Sequence, residues 1–250
     1  MVKSRYKLNI KLSAGHIIIL LIALLAVFSI IGIYAYVNYQ NMQKDYISAQ
    51  AEYEELRELV FVIEYNQTDN SYISEDTIPE CSFTEINPDY IGWITVDRTN
   101  IDYPVVQGID NIKYLDTTFN GETNPAGTIF MDYRSKYGFD SPLVIIYGHN
   151  MKDGTMFARL CPSLIKRNIT ITTKDRELLT YNIIAVRATD IFDPVFDLFE
   201  QDENAVFEYL ERFNVPQSSN RLLVLSTCIS GGNADKRLLI IAVLAENVLG

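Results

Sequence analysis

Three kinds of hydrophobic pattern follow one another along the chain. Ile17 to Val37 is an unbroken run of 21 residues without a charge. At 1.5 Å per residue a helix of that length crosses the hydrocarbon core of a bilayer. A cleaved signal peptide has a shorter apolar core and a small-residue cleavage site. This run instead ends among Tyr34, Tyr36 and Tyr39, residues suited to a membrane interface. Next, Met42, Tyr46, Ala49, Tyr53, Leu56, Val60 and Ile63 recur at steps of four and three. That spacing predicts one apolar stripe on a helix. The stripe suits a helix lying on its own domain better than a coiled coil, for which three heptads are marginal. Residues 66–80 are polar and turn-rich and read as a linker.

From Phe83 the pattern changes to short β-type runs separated by turn signals. Strands are predicted at Ile91–Val96, Ile101–Val106, Thr128–Asp132, Leu143–Tyr147, Ile169–Thr173, Leu178–Val186, Leu222–Thr227 and Leu238–Leu244. Lys174–Glu177 is expected to close a hairpin. Leu143–Ile146 and Leu238–Val243 are apolar at every position, the mark of strands buried on both faces. A helix is predicted over Asp202–Phe213, with Val206, Phe207, Leu210 and Phe213 on one face. Eight short strands and few helices predict a mainly β fold, a closed barrel or a sandwich.

Charge divides the chain. Lys3, Arg5, Lys7 and Lys11 precede the apolar run with no acid among them. Four cations there predict a cytoplasmic N-terminus and an extracellular domain beyond residue 38. The other 17 Lys and Arg face all 32 Asp and Glu, a net charge of −15. So acidic a domain excludes nucleic-acid binding, which needs a basic surface. The 48% hydrophobic content supports a sizeable core.

Candidate chemistry is sparse, which makes it easier to find. There are two histidines, and His16 sits at the inner end of the apolar run. His149 is therefore the one imidazole available to the outer region, just past a buried strand in Tyr-Gly-His-Asn. Gly148 is expected to permit a sharp turn there. Of Cys81, Cys161 and Cys228, an odd number, at least one is unpaired within the chain. Cys81 lies in the linker and Cys161 follows a predicted helix. Cys228 ends a strand and enters a Gly-Gly loop, where a reactive side chain is accessible. A small buried hydrophobe is the competing role for any unpaired cysteine. Arg237 begins the last strand, and strand–loop–strand order suggests that it shares a sheet end with Cys228. A guanidinium there lowers a thiol pKa and stabilises a tetrahedral oxyanion. Thiol, imidazole and guanidinium together support acyl transfer. No carboxylate can be singled out to orient the imidazole.

These residues resemble a sortase. Val224-Leu-Ser-Thr-Cys228 resembles the family's Thr-Leu-x-Thr-Cys motif, with Val224 in place of the first Thr. Tyr147-Gly-His-Asn150 resembles the histidine motif, and Arg237 the third catalytic position. Tyr103-Pro-Val-Val-Gln107, Asp110-Asn111-x-x-Tyr114-Leu115, Gly127-Thr-Ile-Phe-Met-Asp132 and Asn150-Met-Lys-Asp-Gly-Thr-Met-Phe157 are similar to class B in particular. The resemblance spans residues 85–245. It implies an eight-stranded sortase-type β-barrel with an N-terminal helix and a helix inserted before the nucleophile strand. It implies a membrane-anchored cysteine transpeptidase of a Gram-positive bacterium: Cys228 as nucleophile, His149 as acid/base, Arg237 as oxyanion stabiliser. No metal or other cofactor is implied. Such an enzyme cleaves a C-terminal sorting signal after Thr, in class B one similar to Asn-Pro-x-Thr-Asn. It passes the protein to an amine of peptidoglycan, its lipid II precursor or a pilin. By motif match, Asn111, Tyr114, Leu115, Ser226 and Thr227 are the expected signal contacts. The implied organisation is a basic tail (1–16), an anchor in membrane lipid (17–37), a helical stalk and linker (38–80) and a catalytic domain (81–250). A papain-like cell-wall hydrolase is a poorer match, because its cysteine precedes its histidine. A non-catalytic binding module on a sortase barrel would not need all three side chains.

Overall fold

The computed structural model describes residues 13–68, 83–200, 203–213, 221–229 and 235–245. The chain divides into two compact units, residues 1–44 and 45–250. Helix α1, Ala14–Thr68, runs through both. In the first unit the apolar residues from Ile17 to Val37 are solvent-exposed. By length and composition this helix is able to cross a membrane. Residues 66–68, expected in a linker, belong to α1, and the rest of the linker, with Cys81, lies outside the described residues.

In the second unit eight strands close into a barrel. They are β1 (Tyr90–Val96), β2 (Asp102–Val106), β3 (Ile129–Met131), β4 (Leu143–Tyr147), β5 (Asn168–Thr173), β6 (Leu178–Asp190), β7 (Leu222–Cys228) and β8 (Lys236–Leu244). Around the barrel the order is β1-β2-β3-β4-β7-β8-β6-β5. The β2/β3 and β4/β7 pairs are parallel and the rest antiparallel. A short helix α2 (Phe83–Ile86) precedes β1, and α3 (Glu203–Glu211) precedes β7.

Alternation along the strands sorts side chains into two cores. Val144, Ile146, Leu223, Leu225, Ile240 and Ala242 join the main core, together with Ile94, Val105 and Ile129. Ala49, Tyr53 and Leu56 of α1 are buried in that same core. The stripe is thus filled by the helix's own domain. Leu143, Ile145, Leu222, Val224, Leu239 and Ile241 point the other way. They are covered by Val195 and Leu198 of a 3-10 segment, Pro194–Glu200, and by Val206, Tyr209 and Leu210 of α3. Strands with two buried faces have no polar face to show, which is why they read as apolar throughout. Val224, at the position of the expected Thr, is fully buried in this second core.

Strand β6 outruns its predicted end by four residues, Arg187 to Asp190. These are mostly polar, but they pair with Leu239 to Lys236 of β8. The ladder, not hydrophobicity, holds them extended. Cys161 corrects another expectation: turns precede it, and it starts the 3-10 turn Pro162–Leu164 rather than following a helix. It is a free thiol 3.0 Å from the Ser163 hydroxyl.

Candidate active site at one end of the barrel

Strands β4 and β7 lie side by side and parallel, with Tyr147 opposite Ser226. His149 and Cys228 each come two residues later. Two further bonds tie these chain ends together. The Gly148 amide donates to the Ser226 carbonyl at 3.2 Å, and Asn150 Nδ2 donates to the Cys228 carbonyl at 2.8 Å. On the other side of β7, Cys228 is opposite Arg237 in the antiparallel ladder with β8. The three residues thus come from the matching ends of three adjacent strands, β4, β7 and β8. Cys228 is exposed although the six residues before it are buried.

The imidazole is held by a main-chain carbonyl rather than by an acid. His149 Nε2 lies 2.7 Å from the Leu115 oxygen. A carbonyl accepts only, so Nε2 carries the hydrogen and Nδ1 is left for proton exchange. The loop presenting Leu115 is itself fastened down. Thr128 N donates to the Tyr114 carbonyl at 3.0 Å. The Tyr53 hydroxyl of α1 donates to the Gly127 carbonyl at 2.5 Å. Gly127 has φ +57, and a Cβ there would collide with the Tyr114 and Leu115 carbonyls. Burial pushes the Tyr53 phenol up, so it stays a neutral donor.

Gly148 serves a different purpose from the expected turn: it makes room. A Cβ at this position would lie 2.5 Å from Ile129 Cδ1 and 2.7 Å from Phe157 Cδ2. Gly148→Ala is therefore expected to cost about 1–3 kcal/mol by overpacking and to displace His149. Thermal melting and turnover check this. Ile129→Val removes the nearest atom and should restore part of both losses.

Beneath the loop sits a buried carboxylate. Asp132 has no exposed surface. Arg134 grips it through Nε at 3.0 Å and Nη2 at 2.9 Å. The Tyr147 hydroxyl donates at 2.9 Å and Asn111 Nδ2 at 3.0 Å. Burial alone would raise this carboxyl, but bonds from Arg134 and Tyr147 outweigh it and hold it below the usual carboxylate range. The Arg134 guanidinium lies 4.4 Å over the Phe199 ring, and Nη1 donates to the Phe196 carbonyl at 3.1 Å. One ion pair thereby joins the β2–β3 loop, the end of β4 and the segment before α3.

Asp132→Asn is expected to destabilise the domain by about 3 kcal/mol, because it leaves Arg134 partly buried without a counter-charge. A lowered native pKa contributes stability that is full above about 3.9, the ordinary Asp value, and lost as pH falls through the native one. Urea unfolding at neutral and acid pH checks both points, since the variant should lose less stability on acidification.

The expected signal contacts separate into two groups. Leu115 is 42% exposed and its carbonyl touches His149. Tyr114 is buried, and its hydroxyl donates to Asp89 at 2.7 Å. Asn111 accepts from the Tyr133 amide at 3.1 Å and donates to Asp132, so its side chain braces the loop. Ser226 and Thr227 are buried directly before Cys228, and their hydroxyls have no partner among the described residues. Arg134 and the supporting roles of Asp132, Tyr53 and Asn150 escaped sequence reasoning. The signal that would have found the first pair is an acid ending an apolar strand with an arginine two positions on.

Residues 94–245, more than half of the chain, match the model described as the Sortase domain. Sortase B of Listeria monocytogenes is 35% identical over 173 residues, 63% of this chain and 70% of that protein. A Streptococcus pyogenes class B sortase involved in pilus biogenesis superposes with a TM-score of 0.56 at 31% identity, covering 65% of this chain and 96% of that one. The Staphylococcus aureus sortase B–substrate complex gives 0.64 at 25% identity, covering 79% and 96%. With its eight-stranded barrel and these relatives, the chain belongs to the sortase family and is a class B sortase, a transpeptidase.

Proposed function

We propose that Cys228, His149 and Arg237 form the catalytic centre of this transpeptidase. The observation that carries the proposal is the register: Cys228 opposite Arg237, and His149 two residues beyond a Tyr147 that pairs with Ser226. The Cys228 thiolate attacks the scissile carbonyl carbon, that of the Thr in the sorting signal. The resulting oxyanion is stabilised by Arg237. As the C–N bond breaks, the His149 imidazolium gives its proton to the departing amine and a thioester remains. An incoming amine then attacks that thioester and loses a proton to His149, and the thiolate departs. The product is a new amide bond to the acceptor.

The substrate is a secreted protein with a C-terminal signal similar to Asn-Pro-x-Thr-Asn, and the acceptor is an amine of peptidoglycan, lipid II or a pilin. This reading rests on the class B membership. Leu115, exposed and joined to His149 through its carbonyl, is the best placed of the expected signal contacts. Residues 17–37 anchor the chain in the membrane, the four cations keep residues 1–16 in the cytoplasm, and residues 81–250 act outside the cell. The exposed apolar helix supports the anchor.

The test is to incubate the enzyme with peptides carrying candidate signals and with an amine acceptor. The expected product joins the Thr carbonyl to that amine. Intact peptides with every signal, or release of free acid alone when amine is in excess, would reject transfer as the reaction.

A further inference from the structure

A second site candidate lies away from Cys228. Between the β1–β2 turn and the segment leading into β5 the surface opens into a cleft of about 650 Å³. Arg98, Arg159 and Arg167 line it, with Thr99, Asn100 and Ser163 among the other lining residues and no Asp or Glu. Four other arginines of the domain, Arg57, Arg134, Arg187 and Arg221, each reach a carboxylate within 4.0 Å, while Arg176 and Arg212 stand apart from one another on other elements. The three cleft arginines are in none of the ion pairs among the described residues. Asp97, next to the turn, bonds instead to the Asn168 amide at 3.2 Å.

Three like charges around one cleft repel each other, and an anionic occupant relieves that repulsion. The rest of the domain is strongly acidic and would repel polyanions. A basic cleft in that setting is a local exception that can select an anion.

The backbone holds the arginines in position. Arg98 adopts φ +60, in a region L-residues rarely occupy. Its turn is locked by Thr99 Oγ1, which donates to the Val96 carbonyl at 2.8 Å and accepts from the Ile101 amide at 3.0 Å. Asn100 Nδ2 donates to the Gly154 carbonyl at 3.2 Å, tying the turn to the connection that carries Arg159. Arg167 N donates to the Leu164 carbonyl at 2.9 Å.

We propose that this cleft binds a phosphate-bearing envelope anion that presents more than one phosphate, a diphosphate or an array of phosphodiesters. Three guanidinium forks offer more donors than a carboxylate has lone pairs to accept, whereas linked phosphates accept from all three. Hydroxyls of Thr99 and Ser163 can serve the remaining oxygens. A single phosphate would leave most of the cleft open. The connection from β4 to β5 carries both His149 and Arg159, so an anion held here sits on the segment that bears the imidazole.

The test uses the full chain in uncharged detergent micelles, titrated calorimetrically with inorganic pyrophosphate. Saturable binding that weakens as salt is raised is expected. In the Arg159→Gln/Arg167→Gln variant it should weaken by about tenfold or more, with an unchanged melting midpoint. Arg176→Gln, on the exposed β5–β6 turn, should bind as the parent does. If the double variant melts earlier, Arg98→Gln alone carries the comparison. Nanodiscs of phosphatidylglycerol that displace pyrophosphate, where phosphatidylcholine does not, assign the ligand to a lipid headgroup. Failure of both to displace it assigns a soluble or polymeric phosphate. No binding by the parent, or equal binding by all variants, would overturn the site. Turnover is not read, so that result would leave the catalytic proposal untouched.

Discussion

Cys228→Ala is expected to lower transfer by more than about a thousandfold, because no covalent intermediate can form without the thiolate. The fold should be unaffected. Cys228 is exposed at the last position of β7, so the truncated atom leaves no cavity. Far-UV dichroism and melting should match the parent within error while product formation disappears. The other two cysteines are poorly placed to substitute. Cys161 lies in the arginine-lined cleft, and Cys81 lies outside the described residues. Retained transfer with a normal fold would show that the nucleophile is elsewhere.

His149→Ala should cost about 10²–10⁴ in turnover, the range for losing a positioned acid/base. Alanine also releases the Leu115 carbonyl, so part of the loss would come from a loosened loop. Separating the two effects needs a second variant. Tyr53→Phe slackens the same loop by removing the hydroxyl bond to Gly127 but leaves the imidazole in place. A loss for His149→Ala far larger than for Tyr53→Phe assigns the effect to proton transfer. Similar losses would make His149 a positioning residue. At the third position, Arg237→Lys should lose about 10²–10³, since a point charge does not reproduce the planar fork.

Much of this architecture was legible because the local signals agreed. Every predicted strand lies within a few residues of an observed one, and the stripe of α1 faces the main core through Ala49, Tyr53 and Leu56. What escaped reading depends on partners distant in sequence. Arg187 to Asp190 are extended only because β8 lies beside them. Gly148 is small because Phe157 and Ile129 arrive there from other elements. The imidazole takes a carbonyl, and a carbonyl leaves no mark in composition, so a search for an acid could not find it. Asp132 reads only as a strand end within a motif and Arg134 not at all, yet the fold buries the carboxylate and joins it to Arg134 and the Tyr147 hydroxyl. Cys228 and Arg237 were placed at one sheet end by strand order alone, and the ladder puts them opposite each other.

Stopping the reaction with acid in the absence of acceptor, then mapping the modified peptide by mass spectrometry, tests the chemistry most directly. The proposed mechanism predicts one thioester, carrying the acyl fragment that ends in Thr, on the peptide containing Cys228. An adduct on Cys81 or Cys161, or transfer that proceeds with no covalent enzyme species at any time point, would contradict it.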